Sequence, residues 1–288
     1  MGKAFYDQCP ESREIYKRAA TYLGFDVAAL CFEGPPDALT KTETCQPALF
    51  VTSIAAFAAF RARHPSVKPV GAAGLSLGEL TALAVAEAFS FKDGVYLVQA
   101  RANAMAECAA RHPGAMLAVI GLSAGVIDEV CRESGVIAAN LNAPEQVVLS
   151  GSAAGMAHAE GLAKARGAKR AVTLDVAGAF HSSLMQAAAD EFRKALGQVS
   201  VNVPKFPVIS NVTGEPMKAA DDIPDLLVKQ IVSPVRWEAS VRRLIQMGAT
   251  SCIEFPPARV LTGLLRRIDP SVKGVAIDDP SDFSKLSS

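Results

Sequence analysis

Ser76 stands at the centre of Gly74-Leu75-Ser76-Leu77-Gly78, between a small-residue approach, "VKPVGAAG", and a helix-forming run, "ELTALAV". The pattern is G-x-S-x-G, which builds a nucleophile elbow. A strand turns into a helix within a few residues, the serine takes a strained backbone conformation, and side chains at the flanking glycine positions would clash. Ser76 would then lie near a helix N-terminus, where the dipole and free N–H groups favour developing negative charge. A structural turn that happens to contain serine satisfies the same bare pattern. The strand before it and the helix after it are the context the catalytic reading requires.

A serine nucleophile needs a base. The four histidines are His64, His112, His158 and His181. His64 and His112 each precede proline at the end of a helix and read as solvated or capping residues. His158 lies in a lysine-containing helix and reads as exposed. His181 follows small residues and a phenylalanine at the start of a helix, which leaves it as the partner for Ser76 or as a buried structural histidine. Arg101 shares a helix face with Leu97 and Met105, one turn away on each side. A guanidinium on that stripe either snorkels to water or is committed to an anion.

The elements that must position these residues follow from periodicity. Glu11 to Tyr22 reads as an amphipathic helix, and "CQPALFVTSIAAFAAFRARH" as an apolar helix buried on most sides, with Pro47 in its first turn. "VKPVGAAG" reads as a short strand, followed by a helix to about Phe89 and another from Phe91 to Arg111. From Gly114 to Val176 the pattern becomes strand, helix, strand, strand, helix, strand, with Ser123 capping the first helix. That βαββαβ order is a ferredoxin-like split unit of a size suited to an insert. "FPVISNVTG" and "TSCIEF" read as strands and "DLLVKQI" as a helix, so the surrounding core is α/β. The two parts should face each other across a cleft.

Lysine plus arginine equals aspartate plus glutamate, 29 each, and half the residues are hydrophobic. The balance gives no sign of a nucleic-acid partner. The six cysteines are scattered, with no C-x-x-C pair and no histidine at zinc-ligand spacing. We read them as reduced thiols in a soluble, cytoplasmic protein that needs no metal. "PALFVTSIAAFAAF" reads as too short to span a bilayer.

Several ordered motifs, "TCQPALF", "GLSLGE", "RANAM", "GAFHSSLM", "NVTGEP", "LVKQIVSPVRW" and "VLTGLLRR", resemble the malonyl-CoA:acyl-carrier-protein transacylase family of fatty-acid and polyketide synthesis. The resemblance covers nearly the whole chain. It implies an α/β-hydrolase-like core, residues 1–113 and 178–288, around the ferredoxin-like subdomain at 114–177. It also implies that Ser76 accepts the acyl group, that His181 is its base, and that a carbonyl of Gln230 orients the histidine in place of an acidic triad member. Arg101 would pair with the malonate carboxylate. Gln46 and Met105 would line the pocket, and the Leu77 N–H would donate to the oxyanion. The partners implied are malonyl-CoA and an acidic acyl carrier protein, with no cofactor beyond the CoA thioester; monomer is the family's usual form. Lys169 and Arg170 are candidates for steering the carrier.

The chain departs from the family pattern in three places. Leu75 replaces a histidine, "FPPAR" stands where Gly-Pro-Gly is usual, and the sequence opens at a segment that normally follows a strand and a Gly-Gln-Gly-x-Gln loop. The expectation is that the recorded start lies downstream of the true one. Competing functions are transfer of another extender unit such as methylmalonyl, a serine esterase or thioesterase, and a non-catalytic paralogue. A hydrolase would place an acidic residue between serine and histidine and put the histidine near the C-terminus; here over a hundred residues follow His181.

Overall fold

The computed structural model describes residues 1–176 and 178–286. The expected boundary residue Ala177 and the last two positions of the expected core lie outside the described residues. The chain has a mixed α/β fold. Five helices come first: α1 (Lys3–Gln8), α2 (Pro10–Leu23), α3 (Val27–Glu33), α4 (Pro36–Thr40) and α5 (Thr42–Arg63). Then come α6 (Leu77–Val85) and α7 (Phe91–Arg111). α2 starts with Pro10 and ends at Gly24, whose φ of 77° closes the helix in the left-handed region. α7 starts where the Ser90 hydroxyl accepts the Asp93 N–H.

α5 carries apolar residues all round, so it is buried on most sides and packs against α2 and α7. Its 22 residues exceed the apolar run "PALFVTSIAAFAAF" because Thr42, Glu43 and Thr44 extend the helix at its start and Arg61 and Arg63 at its end. By length and composition alone it could cross a membrane, and 61% of that window is buried inside the fold. The main core joins α2, α5, α6, α7, α10 (Gln186–Leu196) and α11 (Asp222–Ile231) through residues such as Phe50, Leu80, Leu83, Leu97, Phe192 and Ile231.

Between α7 and α10 lies the run β1 (Ala115–Ile120), α8 (Ala124–Ser134), β2 (Ile137–Ala143), β3 (Gln146–Gly151), α9 (Ala153–Ala165) and β4 (Arg170–Thr173). Its sheet is antiparallel in the order β2-β3-β1-β4. Alternation sends Leu117, Val119, Val147 and Leu149 against Ile127, Val130, Met156 and Ala159 of the two helices. The opposite face, Met116, Ala139 and Val148, meets Phe180, the neighbour of His181. Ser123 occupies the N-cap of α8, but its side chain makes no capping hydrogen bond.

The remaining elements are α12 (Trp237–Gln246), β5 (Ser251–Glu254), α13 (Leu261–Ile268) and β6 (Lys273–Ala276), with β5 and β6 parallel. The two strands expected at "VKPVGAAG" and "FPVISNVTG" shrink to single bridges, including a parallel one between Ala72 and Val208. Proline explains the shortfall. Pro69, Pro204 and Pro207 supply no N–H, and Pro207 contributes only its carbonyl, which accepts the Ala72 N–H at 2.8 Å. The helix after Ser76 stops at Val85 rather than near Phe89, where Glu87 takes a φ of 59°.

Candidate active site

The short bridge at Ala72 and the start of α6 fix the two ends of the elbow. Ser76 is the N-cap of α6, with φ 53° and ψ −108°. Only a tightly supported turn holds a non-glycine residue there. Gly74 is sterically required, since a Cβ at that position would come within 1.9 Å of the Gly78 carbonyl oxygen. Gly78 is not, because a Cβ there meets nothing within 4 Å. The expectation that both flanking glycines avoid a clash is therefore corrected for the second.

The Ser76 hydroxyl does not cap its own helix. It lies 2.7 Å from His181 Nε2, and His181 Nδ1 lies 2.8 Å from the Gln230 main-chain oxygen. A carbonyl only accepts, so Nδ1 carries the proton and Nε2 is left to accept the Ser76 hydroxyl. His181 is itself at a positive φ of 59° and is 2% exposed. Burial, helped by the Arg101 charge and opposed by the Gln230 carbonyl, lowers its pKa to about 4. At neutral pH it is an unprotonated base.

Arg101 does not snorkel. It is 1% exposed, and its guanidinium donates to Gln46 Oε1 at 2.5 Å, to Gln230 Oε1 at 2.8 Å and to Ser76 Oγ at 3.1 Å. Its Nε is buried without a hydrogen-bond partner among the described residues. Burial lowers its pKa to about 10 while Glu79 acts to raise it, so it stays a cation at neutral pH. A buried cation beside a nucleophile is suited to an anionic substrate group.

The geometry thus matches an acyl-transfer site, and the sequence comparison agrees. The model of the acyl transferase domain family matches residues 1–276. The chain belongs to that family. A malonyl CoA-acyl carrier protein transacylase of Bacillus subtilis is 41% identical over 285 residues, covering 97% of this chain and 89% of that one. The crystal structure of a malonyl CoA-acyl carrier protein transacylase from Clostridium perfringens superposes with a TM-score of 0.93 at 35% identity, covering all of this chain and 91% of that one. A type II PKS acyl-carrier protein in complex with its malonyl-transacylase gives a TM-score of 0.94 at 34% identity, covering 99% of this chain and 93% of the other.

In this acyltransferase the remaining expected residues also gather at the site. Gln46 donates through Nε2 to Met105 Sδ at 3.6 Å, so both sit beside Arg101. Leu77 is the first residue of α6, and its N–H is one of those a helix leaves without an intrahelical acceptor. His64 and His112 end α5 and α7, and His158 is exposed on α9, all apart from the site. Lys169 is exposed and pairs with Glu145 at 3.9 Å; Arg170 is exposed on β4.

Two residues escaped the sequence reading. Asn211, fully buried, spans the elbow: its Oδ1 accepts the Ser76 N–H at 2.8 Å and its Nδ2 donates to the Gly74 carbonyl at 2.9 Å. Glu79, also fully buried, accepts the Asn211 N–H at 3.0 Å and a hydrogen bond from Gln230 Nε2. The available signal was the one carboxylate in the apolar run "LGELTALAV".

Proposed function

We propose that the enzyme moves a malonyl group from malonyl-CoA to the phosphopantetheine thiol of an acyl carrier protein, through a malonyl-Ser76 ester. The observation that carries this reading is the Arg101 guanidinium, 1% exposed and one hydrogen bond from the Ser76 hydroxyl at 3.1 Å. A cation fixed so close to the nucleophile selects a short acyl group that ends in a carboxylate. The family, and the names carried by its relatives, point to the same substrate and acceptor.

The steps follow from the hydrogen bonds. Ser76 Oγ passes its proton to His181 Nε2 as it attacks the thioester carbonyl, and the Leu77 N–H at the head of α6 receives the oxyanion. The C–S bond breaks and CoA leaves with the proton from His181. The carrier thiol then gives its proton to His181, attacks the ester carbonyl and releases Ser76 Oγ, which takes that proton back. Gln230 holds the Nδ1 proton in place throughout, as an aspartate does in other triads. Every proton moves between Ser76, His181 and a thiol, so we propose a scheme without metal or cofactor.

The same reading makes residues 1–113 and 178–288 an α/β-hydrolase-like core and 114–177 a ferredoxin-like insert. The sheet order β2-β3-β1-β4, with both helices on one face, supports the second assignment. It further has the enzyme act as a cytoplasmic monomer on a diffusible, acidic carrier, with exposed Lys169 and Arg170 as candidate contacts.

Loading with malonyl-CoA, followed by addition of either holo carrier or buffer, tests the function. The expected result is rapid transfer to the carrier and slow release of free malonate. Equal release in both arms would make the protein a hydrolase.

A further inference from the structure

Glu79 sits three residues after the nucleophile on α6 and is fully excluded from solvent. Each of its carboxylate oxygens receives a donor, Oε1 from the Asn211 main-chain N–H at 3.0 Å and Oε2 from Gln230 Nε2. The same Gln230 nitrogen donates to the Ser76 carbonyl at 2.8 Å, and Gln230 Oε1 accepts from Arg101 at 2.8 Å. A glutamine amide has one donating and one accepting end, so the groups facing it decide its rotation. Above about pH 7, where the buried Glu79 is ionised, its carboxylate and the Ser76 carbonyl accept only, and a guanidinium donates only. The three together permit one orientation.

We propose that Glu79 is a positioning residue that locks the rotation of the Gln230 side-chain amide, and so keeps an acceptor against Arg101 and its fork aimed at the acyl carboxylate. The proposal rests on the reading of Arg101 as the carboxylate's partner. It separates two tasks within Gln230. The main-chain carbonyl orients His181 and does not depend on Glu79, whereas the side chain serves Arg101 and does.

Glu79→Gln isolates the effect. The Asn211 N–H cannot rotate, so the oxygen of the new amide must stay with it, which turns the new NH₂ toward the NH₂ of Gln230. Gln230 then either tolerates two opposed donors or flips and sets its NH₂ against the guanidinium. The flip sets a donor against Arg101 and displaces it, while the opposed donors loosen the amide that holds it; neither breaks the Ser76–His181 bond. Hydrogen bonds to charged groups are strong enough for this to change anion affinity by about tenfold or more.

The test, run above pH 7 so that Glu79 is ionised, labels Ser76 with a neutral fluorophosphonate and measures how much free malonate is needed to protect it. In Glu79→Gln, unprotected labelling should fall by no more than a few-fold, while half-protection needs about ten times more malonate than in wild type. Glu79→Asp, which keeps the charge, should recover part of the difference. Gln230→Met reads the link from the other side without touching the main-chain carbonyl and should show the same rise. Wild-type protection in a folded Glu79→Gln or in Gln230→Met would overturn the proposal. So would loss of labelling and protection in equal proportion in both Glu79 variants. If malonate fails to protect the wild type, the substrate reading falls. The Gln230 side-chain amide resonances, assigned by their loss in Gln230→Met, then decide the inference: a shift in Glu79→Gln upholds it and unchanged resonances overturn it.

Discussion

Ser76 and His181, 105 residues apart in sequence, meet at 2.7 Å, and both hold a positive φ, 53° and 59°. The proposed nucleophile and its proposed base are therefore each mounted on a strained backbone. Strain of this kind persists only where the surroundings over-determine the turn. For Ser76 the support is Asn211, which grips the main chain on either side of Leu75, and Gln230, whose Nε2 holds the Ser76 carbonyl. For His181 the Gln230 carbonyl holds the ring at Nδ1, and Phe180 packs against the inserted sheet.

Gly74 carries the steric half of that support. Gly74→Ala should cost about 1–3 kcal/mol of unfolding free energy, because its new methyl group runs into the Gly78 carbonyl, which is backbone and cannot step aside. Gly78→Ala should change stability by no more than about 1 kcal/mol, since its side chain meets open space at the start of a helix. Urea unfolding of the two variants checks the contrast. Equal costs would contradict the account of the elbow.

In the proposed scheme Arg101 sets selectivity. Arg101→Ala should lower kcat/KM for malonyl-CoA by about 10²-fold, the scale expected when a buried charge pair loses one partner. Transfer from acetyl-CoA, which has no carboxylate to lose, should fall far less or rise. Matched kinetics with both thioesters measure this, and equal losses would make Arg101 a structural residue.

In the proposed scheme His181 sets the pH profile. Its pKa is lowered to about 4, first by burial and then by the Arg101 cation, so the acid limb of Ser76 labelling by a neutral fluorophosphonate should lie far below the ordinary histidine value of 6.5. Arg101→Gln removes the cation, which makes the imidazolium easier to form, and should move the limb to higher pH. A wild-type limb near 6.5, unmoved by the substitution, would contradict the geometry.

Stability should show two opposing slopes. The His181 pKa falls from 6.5 to about 4 on folding, so the unfolded chain binds more protons in that window and stability is lost as pH drops through it. Burial raises the Glu79 pKa from 4.5 to about 7, so the folded chain binds more protons in that window and stability is lost as pH rises through it. Between about 4.5 and 6.5 the two offset each other. Glu79→Gln removes one slope and should make the protein lose stability on acidification from pH 6.5 to 4 more steeply than wild type, as urea midpoints would show. Parallel curves for the two proteins would contradict the assignment.

Much of this site was legible in the sequence because its parts carry unusual local signals. Gly74-Leu75-Ser76 announces a sharp turn, the helix from Phe91 to Arg111 is bounded as its periodicity predicts, and His181 was left by elimination among four histidines. The βαββαβ run was legible because short apolar stretches such as Ala115–Ile120 are separated by helices that a serine opens, Ser123 for α8 and Ser152 for α9. The core strands misled because Val-Ile-rich segments look like sheet, while their prolines withhold the donors a ladder needs. Arg101 lay open between snorkelling and burial, since a helix stripe does not reveal what packs against it. Asn211 and Glu79 were hidden for a related reason. Their roles depend on contacts over 132 to 151 residues of chain, and only the folded protein brings those partners together.

The central claim is that Ser76 carries the acyl group. Incubation with malonyl-CoA, proteolysis and peptide mass spectrometry should place one malonyl group on the peptide containing Ser76 and none on Ser76→Ala, which should fold as wild type does. A malonyl group on Ser76→Ala, or on another residue of the wild type, would contradict the account.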